Sequence, residues 1–301
     1  MIACCAVLYP EERLVFGVFF LTPGTRRVAN PTYARNGIWQ EMKKSGVLIK
    51  TLLHHSAWLP LVVLLLVYLL WEAAARWGGL PAFILPSPRG VALRAWQALG
   101  DGSLALHAGY TLLEVALGLL LGGGLACILG YLLARSPLLE KLLSPYLVAS
   151  QAVPVVAIAP LLVIWFGPGL FSKVLVCALI VFFPVLVNTV VGLRQAPQSL
   201  RDLMLSLRAT RGQMLRYLEF PAALPVLLGG LRIGATLAVI GAVVGEFVGS
   251  DRGLGFLVNV GRGQYDTALV FVAIFTLVLM ALALYGGVVL MEKRLLVWKR
   301  S

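Results

Sequence analysis

The sequence predicts an all-helical protein that crosses a membrane about six times. Three observations carry this. Hydrophobic residues make up 60% of the 301 residues and charged ones 13%, with a mean hydropathy of +0.91, a balance no soluble domain with a core needs. Apolar runs recur along the chain, each near the ~20 residues that a helix needs to cross hydrocarbon. Between two of these runs lies a polar, helical stretch, Ser199–Pro225, that belongs in no bilayer. The net charge of +12 would point to nucleic acid in a soluble protein. Here cationic loops against anionic lipid account for it, so the bilayer is expected as a partner and nucleic acid is not.

Residues 1–41 fit poorly with the rest of the chain. Leu14 to Leu21 is apolar but too short to span, and Pro10, Pro23 and Pro31 break any helix around it. The expectation is an accessory tail, or an upstream extension of a working start at Met42, where Met-Lys-Lys precedes an apolar segment. A cleaved signal peptide would need a basic region ahead of its apolar run, which this tail lacks. The membrane domain is therefore assigned to 42–301.

The first span is expected at Ala57 to Ala75, between Lys43, Lys44 and Lys50 on one side and the interfacial anchors Trp71 and Trp77 on the other. Pro81, Pro86 and Pro88 then make a loop. The second span, Tyr110 to Leu133, carries Gly118 and Gly122 one turn apart, which lets a neighbouring helix approach closely. The third, Tyr146 to Phe166, contains Pro154 and Pro160 and is expected as a kinked helix. The fourth runs from Lys173 to Val191 with Pro184 and Asn188. The fifth, Val226 to Val248, repeats the small-residue spacing at Gly230 and Gly234 and again at Gly241 and Gly245. The sixth runs from Thr267 to Met291. From Met42 on, about fourteen Lys and Arg fall in the termini and in the loops after the second and fourth spans, against about six elsewhere. Both termini and the Ser199–Pro225 stretch are thus expected in the cytoplasm.

Polar groups inside the spans are costly in lipid and mark a pathway by default: Glu114, Gln151, Asn188 and Glu246. Glu114 and Glu246 lie about one turn from the outer ends, where reaching headgroups is the alternative. Apart from Lys173 and Arg232 at span edges, no base accompanies them, so the field near the outer mouth is expected to repel anions. Cys4, Cys5, Cys127 and Cys177 form no CxxC or metal spacing and read as small hydrophobes. His54 and His55 flank the first span as an interfacial pair, and His107 is placed in a loop. No Gly-Lys-Ser/Thr phosphate loop, HExxH or nucleophile–base set occurs, so no catalytic, metal or cofactor site is expected and the chain hydrolyses no ATP by itself.

In the polar stretch, Ser199 followed by Asp202 and Thr210 followed by Gln213 both have capping-box spacing. Leu200, Leu203, Met204 and Leu207 share one face of the first short helix, and Met214, Leu215 and Leu218 form the second stripe, which Pro221 is expected to end. Two such helices cannot span; they lie on the membrane surface or against a soluble partner. The stretch resembles the EAA loop of ABC importer permeases, in which Glu-Ala-Ala and three residues precede Gly, with Leu-Pro later. Asp202 takes the Glu place, Leu203 and Met204 the Ala places, Arg208 the Gly place and Pro221 the proline place. Arg at a corner that favours positive φ departs from the pattern. LPSPRGVALRAWQAL, QAVPVVAIAPLLVIWFGPG and FPAALP with GGLRIGATLAVIGAVVGEF extend the resemblance over nearly everything after Met42. DLMLSLRAT and GAVVGEFVGSDRGLGFL are similar to the pyrimidine-precursor and riboflavin branch of the nitrate/sulfonate/taurine-type permeases.

That resemblance implies a type I ABC importer permease fold in the inner membrane with coupling helices at 199–219. Asp202, Leu203, Met204, Leu207, Arg208, Ala209, Thr210, Arg211 and Pro221 would serve the contact with the ATPase. It implies further partners: two ATPase subunits that bind ATP, a second copy or related permease chain, and an external solute-binding protein. The solute would be a vitamin-like heterocycle, with sulfonate, nitrate or taurine as the alternative. A secondary transporter is the remaining reading, and would need ion-coordinating acids near mid-membrane.

Overall fold

A computed structural model describes residues 58–79, 81 and 83–296. The tail at 1–41, Met42, Lys43, Lys44, Lys50, His54, His55, Cys4 and Cys5 lie outside the described residues. All regular structure among the described residues is helical. In chain order the helices are α1 Leu59–Trp77, α2 Pro88–Gly100, α3 Ser103–Arg135, α4 Pro137–Gln151, α5 Val155–Phe166, α6 Leu170–Arg194, α7 Gln198–Ser206, α8 Arg211–Met214, α9 Phe220–Val248, α10 Leu254–Gly263 and α11 Thr267–Leu295, with a π turn at Leu215–Glu219 joining α8 to α9. Of these, α1, α3, α6, the continuous run Arg211–Val248 and α11 are long and apolar enough to cross a membrane.

The third span differs from the expected kinked helix. It is two helices, α4 and α5, bent by 91° at the break, which together have the length and apolar composition of either a sixth, broken span or a re-entrant loop. The cause is Pro154, which caps α5 with extended backbone (φ −69°, ψ 110°). A proline disfavours helical ψ at the residue before it, here Val153, so the helix stops rather than kinks. Pro160 and Pro145, by contrast, are carried inside α5 and α4.

The body from Leu65 onward is organised about α6, which packs along both α3 and α9. Its core joins Val115 and Ala126 of α3, Cys177, Val181 and Val185 of α6, and Ala238 and Ala242 of α9. The small-residue pairs make this possible. A Cβ on Gly122 would lie 2.4 Å from the Ala178 carbonyl oxygen, and one on Gly241 2.9 Å from the Cys177 Cα, so on both flanks of α6 backbone meets backbone. Gly118, Gly230, Gly234 and Gly245 likewise face α6 at contact distance.

The remaining helices are tied on at the end of the bundle where α9 stops. Ser87 caps α2, accepting from the Gly90 N–H at 3.2 Å, with Pro88 at the first helical position. Asp266 caps α11 through the Leu269 N–H (3.0 Å) and also takes Arg94 Nε of α2 (2.7 Å), fastening the two helices together. Trp71 of α1 donates its Nε1 hydrogen to the Pro86 carbonyl at 3.1 Å and stacks on Phe271 of α11, ring centroids 5.4 Å apart.

Candidate functional site

Two constellations lie at opposite ends of α9, whose 29 residues span roughly 40 Å at 1.5 Å per residue. The first is the polar stretch. Helix α7 begins at Gln198 after Pro197, one residue before Ser199, and has no side-chain cap. The Ser199–Asp202 box therefore does not form: Ser199 is inside the helix, and Asp202 accepts instead from Gln198 Nε2 at 3.0 Å. The second box is present in full. The Gln213 N–H donates to Thr210 Oγ1 (3.3 Å) and the Thr210 N–H to Gln213 Oε1 (2.8 Å).

Between them the chain turns through Arg208, whose φ is +55°. The Arg208 N–H donates to the Leu205 carbonyl and the Ala209 N–H to the Met204 carbonyl, both at 2.9 Å, which is the Schellman arrangement with Arg208 in the place glycine usually takes. The corner that the loop pattern assigns to Gly is thus built with Arg at a conformational cost of about 1 kcal/mol.

Of the α7 stripe, Met204 alone turns inward, against Met214, Leu218 and Ala196. Leu200, Leu203 and Leu207 are 45, 54 and 73% exposed. Asp202, Arg208, Thr210 and Arg211 are exposed beside them and Ala209 is half-buried, so the expected coupling residues from Asp202 to Arg211 share one protruding segment. Pro221 does not belong to it and ends nothing. It sits in the first turn of α9, just past the π turn, and helix runs unbroken from Arg211 to Val248. The wider π turn leaves room where a proline ring would strike the carbonyl four residues back.

The second constellation is a buried polar cluster where α3, α6, α9 and α10 meet. Glu114 (2% exposed) stands 3.7 Å from Lys173 Nζ (3%), which donates to Ser250 Oγ at 2.7 Å. Glu246 (1%) accepts from the Thr111 hydroxyl at 2.7 Å and from the Gly255 N–H at 2.5 Å. Thr111 Oγ1 also accepts from the Leu254 N–H (2.8 Å), and His107 Nδ1 from the Gly253 N–H (3.0 Å). The start of α10 is thereby capped by side chains of α3 and α9, its free N–H groups meeting a carboxylate as a helix N-terminus favours. The glycines are required: a Cβ on Gly253 would lie 2.0 Å from Glu246 Oε1, and one on Gly255 2.7 Å from Oε2.

This geometry changes three expectations. Glu114 and Glu246 do not reach headgroups, because α3 begins at Ser103, three turns before Glu114, and α10 folds back over Glu246. Lys173 lies in the first turn of α6, at the span edge as expected, but it is also the buried partner of Glu114, so the acids at this end do not act as a bare negative field. His107 is on α3 rather than in a loop. The other two pathway candidates stand apart from the cluster. Asn188, half-buried on α6, donates to the Pro184 carbonyl at 2.7 Å and faces Gly230, while Gln151 is exposed at the end of α4. Thr111, Ser250, Gly253 and Gly255 escaped the sequence reading, although glycines spaced around the SDR turn after a buried Glu were its one available signal.

Long helices wrapped around a small-residue core, an amphipathic helix with an exposed apolar row at one end and a capped short helix at the other, define a membrane-spanning transport subunit. The chain belongs to the family described as the binding-protein-dependent transport system inner membrane component, which matches residues 118–297; it is an ABC importer permease, a transport subunit and not an enzyme. It is 52% identical over 240 residues to the riboflavin transport system permease protein RibX of Chloroflexus aurantiacus, covering 80% of this chain and 90% of that one. It is 37% identical to the formylaminopyrimidine transport permease protein ThiX of Halalkalibacterium halodurans (80% and 96% covered). Identity to the putative aliphatic sulfonates transport permease protein SsuC of Bacillus subtilis is 33% (81% and 87%). The fold matches a chain of the MetNI methionine ABC transporter in inward-facing conformations with a TM-score of 0.56 at 18% identity, covering 63% of this chain and 94% of that one. Membership implies ATPase and binding-protein partners, which answers the secondary-transporter alternative.

Proposed function

We propose that this chain forms the path of an importer for a vitamin-like heterocycle, riboflavin or a pyrimidine precursor of thiamine. Two copies, or this chain and a related one, enclose the path, with both termini and α7 in the cytoplasm and α10 toward the external binding protein. The observation that carries the coupling part is the row Leu200, Leu203 and Leu207, exposed on a helix that spans nothing and that the described residues leave uncovered. Such a row at helical spacing is what a groove on a soluble partner buries. The partner ATPase subunits dock there and bind the ATP, and Asp202, Leu203, Leu207, Arg208, Ala209, Thr210 and Arg211 make the contact while Met204 seats the helix. Substrate class is supported by the 52% and 37% identical relatives over the 33% one. The buried Glu114–Lys173 pair removes the field argument against anions, so that preference rests on the relatives.

The test is ATPase activity of the reconstituted complex with its own binding protein, offered riboflavin, an aminopyrimidine, taurine and nitrate in turn. Stimulation by riboflavin or the aminopyrimidine is expected. Stimulation by taurine or nitrate alone would overturn the substrate reading.

A further inference from the structure

At the end of the bundle that carries α7, the chain buries a carboxylate no motif announces. Glu219 closes the π turn and is 4% exposed, although its neighbours Tyr217 and Phe220 are 67 and 51% exposed. A π turn adds one residue to the helical register and so re-aims the side chain that comes after it. Here it aims Glu219 at two arginines on two other elements. Arg135, in the last turn of α3, reaches Oε2 at 2.8 Å; Arg201 of α7 reaches Oε1 at 3.4 Å. Beside this bridge, Arg194 at the end of α6 grips Glu140 at the start of α4 through two bonds of 2.7 and 2.6 Å. The two ion-pair groups line a cavity of about 460 Å³ together with Tyr131 and Met214.

The connectivity makes the bridge consequential. Helix α7 adjoins α6 in sequence through Pro197 and leads on to α9 through the Arg208 corner, whereas α3 is separated from it in the chain by α4, α5 and α6. Among the described residues its apolar seat on the chain is Met204. A displacement of α7 has two ways to α3: through α6, which packs on α3, and through the side-chain bridge of Arg201, Glu219 and Arg135, which does not pass through α6. The carboxylate is shielded from solvent, so its pairing with the two arginines is held more stiffly than a surface ion pair would be. Breaking it leaves Arg135 and a buried acid to find new partners.

We propose that Glu219 is the positioning residue that passes the motion of α7 to α3, so that the docked helix moves α3 and α9 together instead of α9 alone. This rests on the docking of α7 on an ATPase subunit. The cavity beside it gives the Arg201 and Arg135 side chains room to move without repacking the core.

The experiment uses the whole complex in lipid, trapped with ATP and vanadate, and pulsed spin–spin distance measurements between two label pairs. One pair joins Leu205 on α7 to Leu290 on α11; the other joins Ile128 on α3 to Leu290. In the native background both distances are expected to shift on trapping. In Glu219→Gln the α7 distance still shifts and the α3 shift is lost, with the ATPase subunits still co-purifying in full amount. Arg135→Gln should produce the same loss, and the double variant no more than either alone. Arg201→Gln cuts only the α7 arm and leaves the buried Arg135–Glu219 pair, so it decides the matter if Glu219→Gln fails to assemble; it too should abolish the α3 shift. An α3 shift retained in Glu219→Gln or in an assembled Arg201→Gln complex overturns the proposal. An α7 distance that ignores nucleotide in the native complex overturns the docking reading itself, and the bridge with it.

Discussion

Gly122→Ala tests whether the α3–α6 contact sets the packing of the bundle. The added Cβ would lie 2.4 Å from the Ala178 carbonyl oxygen and 2.8 Å from its Cα, both backbone atoms that no rotamer change can clear. Ordinary contact begins near 3.4 Å, so the helices must part by about 1 Å locally. On a van der Waals well that gap forfeits roughly a quarter to a half of each neighbouring contact, and overpacking of this kind costs about 1–3 kcal/mol. Against it stands the helical gain of alanine over glycine, about 0.8–1 kcal/mol. Gly123 supplies the control, because it is buried on the same helix and a Cβ there meets nothing within 4 Å. Gly123→Ala keeps the helical gain without the clash, so the two variants are expected to differ by the overpacking cost alone. The assay is thermal unfolding of the detergent-solubilised protein, monitored by the reaction of a thiol dye with Cys177 as the single remaining cysteine. That residue is fully buried at this contact. Gly122→Ala should release it at a lower temperature than Gly123→Ala. Equal midpoints, or the reverse order, would refute the claim that α3 and α6 touch through backbone.

Gly253→Ala should loosen α10, since the new Cβ strikes Glu246 Oε1 and the residue sits at φ +109°; hydrogen bonds to a carboxylate of the kind lost here are worth about 1.5–3 kcal/mol each. In a Glu246→Ala background the same substitution should cost markedly less, and additive losses of amide protection over Leu254–Gly263 would sink the account of the cluster. Arg208→Gly should raise hydrogen-exchange protection of α7 by about 1 kcal/mol, because glycine adopts φ +55° freely; unchanged protection would mean that the corner is not strained. Single cysteines at Arg211 and Arg262, in a variant without native Cys, should label from the cytoplasmic and the outer side respectively, and labelling of both from one side would contradict the orientation.

The parts of this molecule legible in its sequence depend on neighbours a few residues apart. The long spans come from apolar length. The Thr210–Gln213 box comes from two side chains one turn apart, and the close approaches of Gly118, Gly122, Gly230, Gly234, Gly241 and Gly245 come from small residues repeating on one helix face. Even local patterns miscarried where a boundary moved by one residue: α7 starts at Gln198, so Ser199 cannot cap it. Pro154 broke its span, while Pro221 was absorbed by a π turn whose existence no residue type signals.

What tertiary structure alone decided is which polar residues meet. Thr111 finds Glu246 across 135 positions and Lys173 finds Ser250 across 77; Glu114 meets Lys173, and Glu219 meets Arg135. In the sequence these are isolated charges in or beside apolar runs, and burial without a partner is what each would cost most to adopt. The partner is chosen by how far glycine lets α3, α6 and α9 approach and by where α10 folds back. Apolar period and cap spacing act within one helix and can be read from it, whereas the pairing of buried charges depends on the distances between helices, which exist only once the bundle has packed.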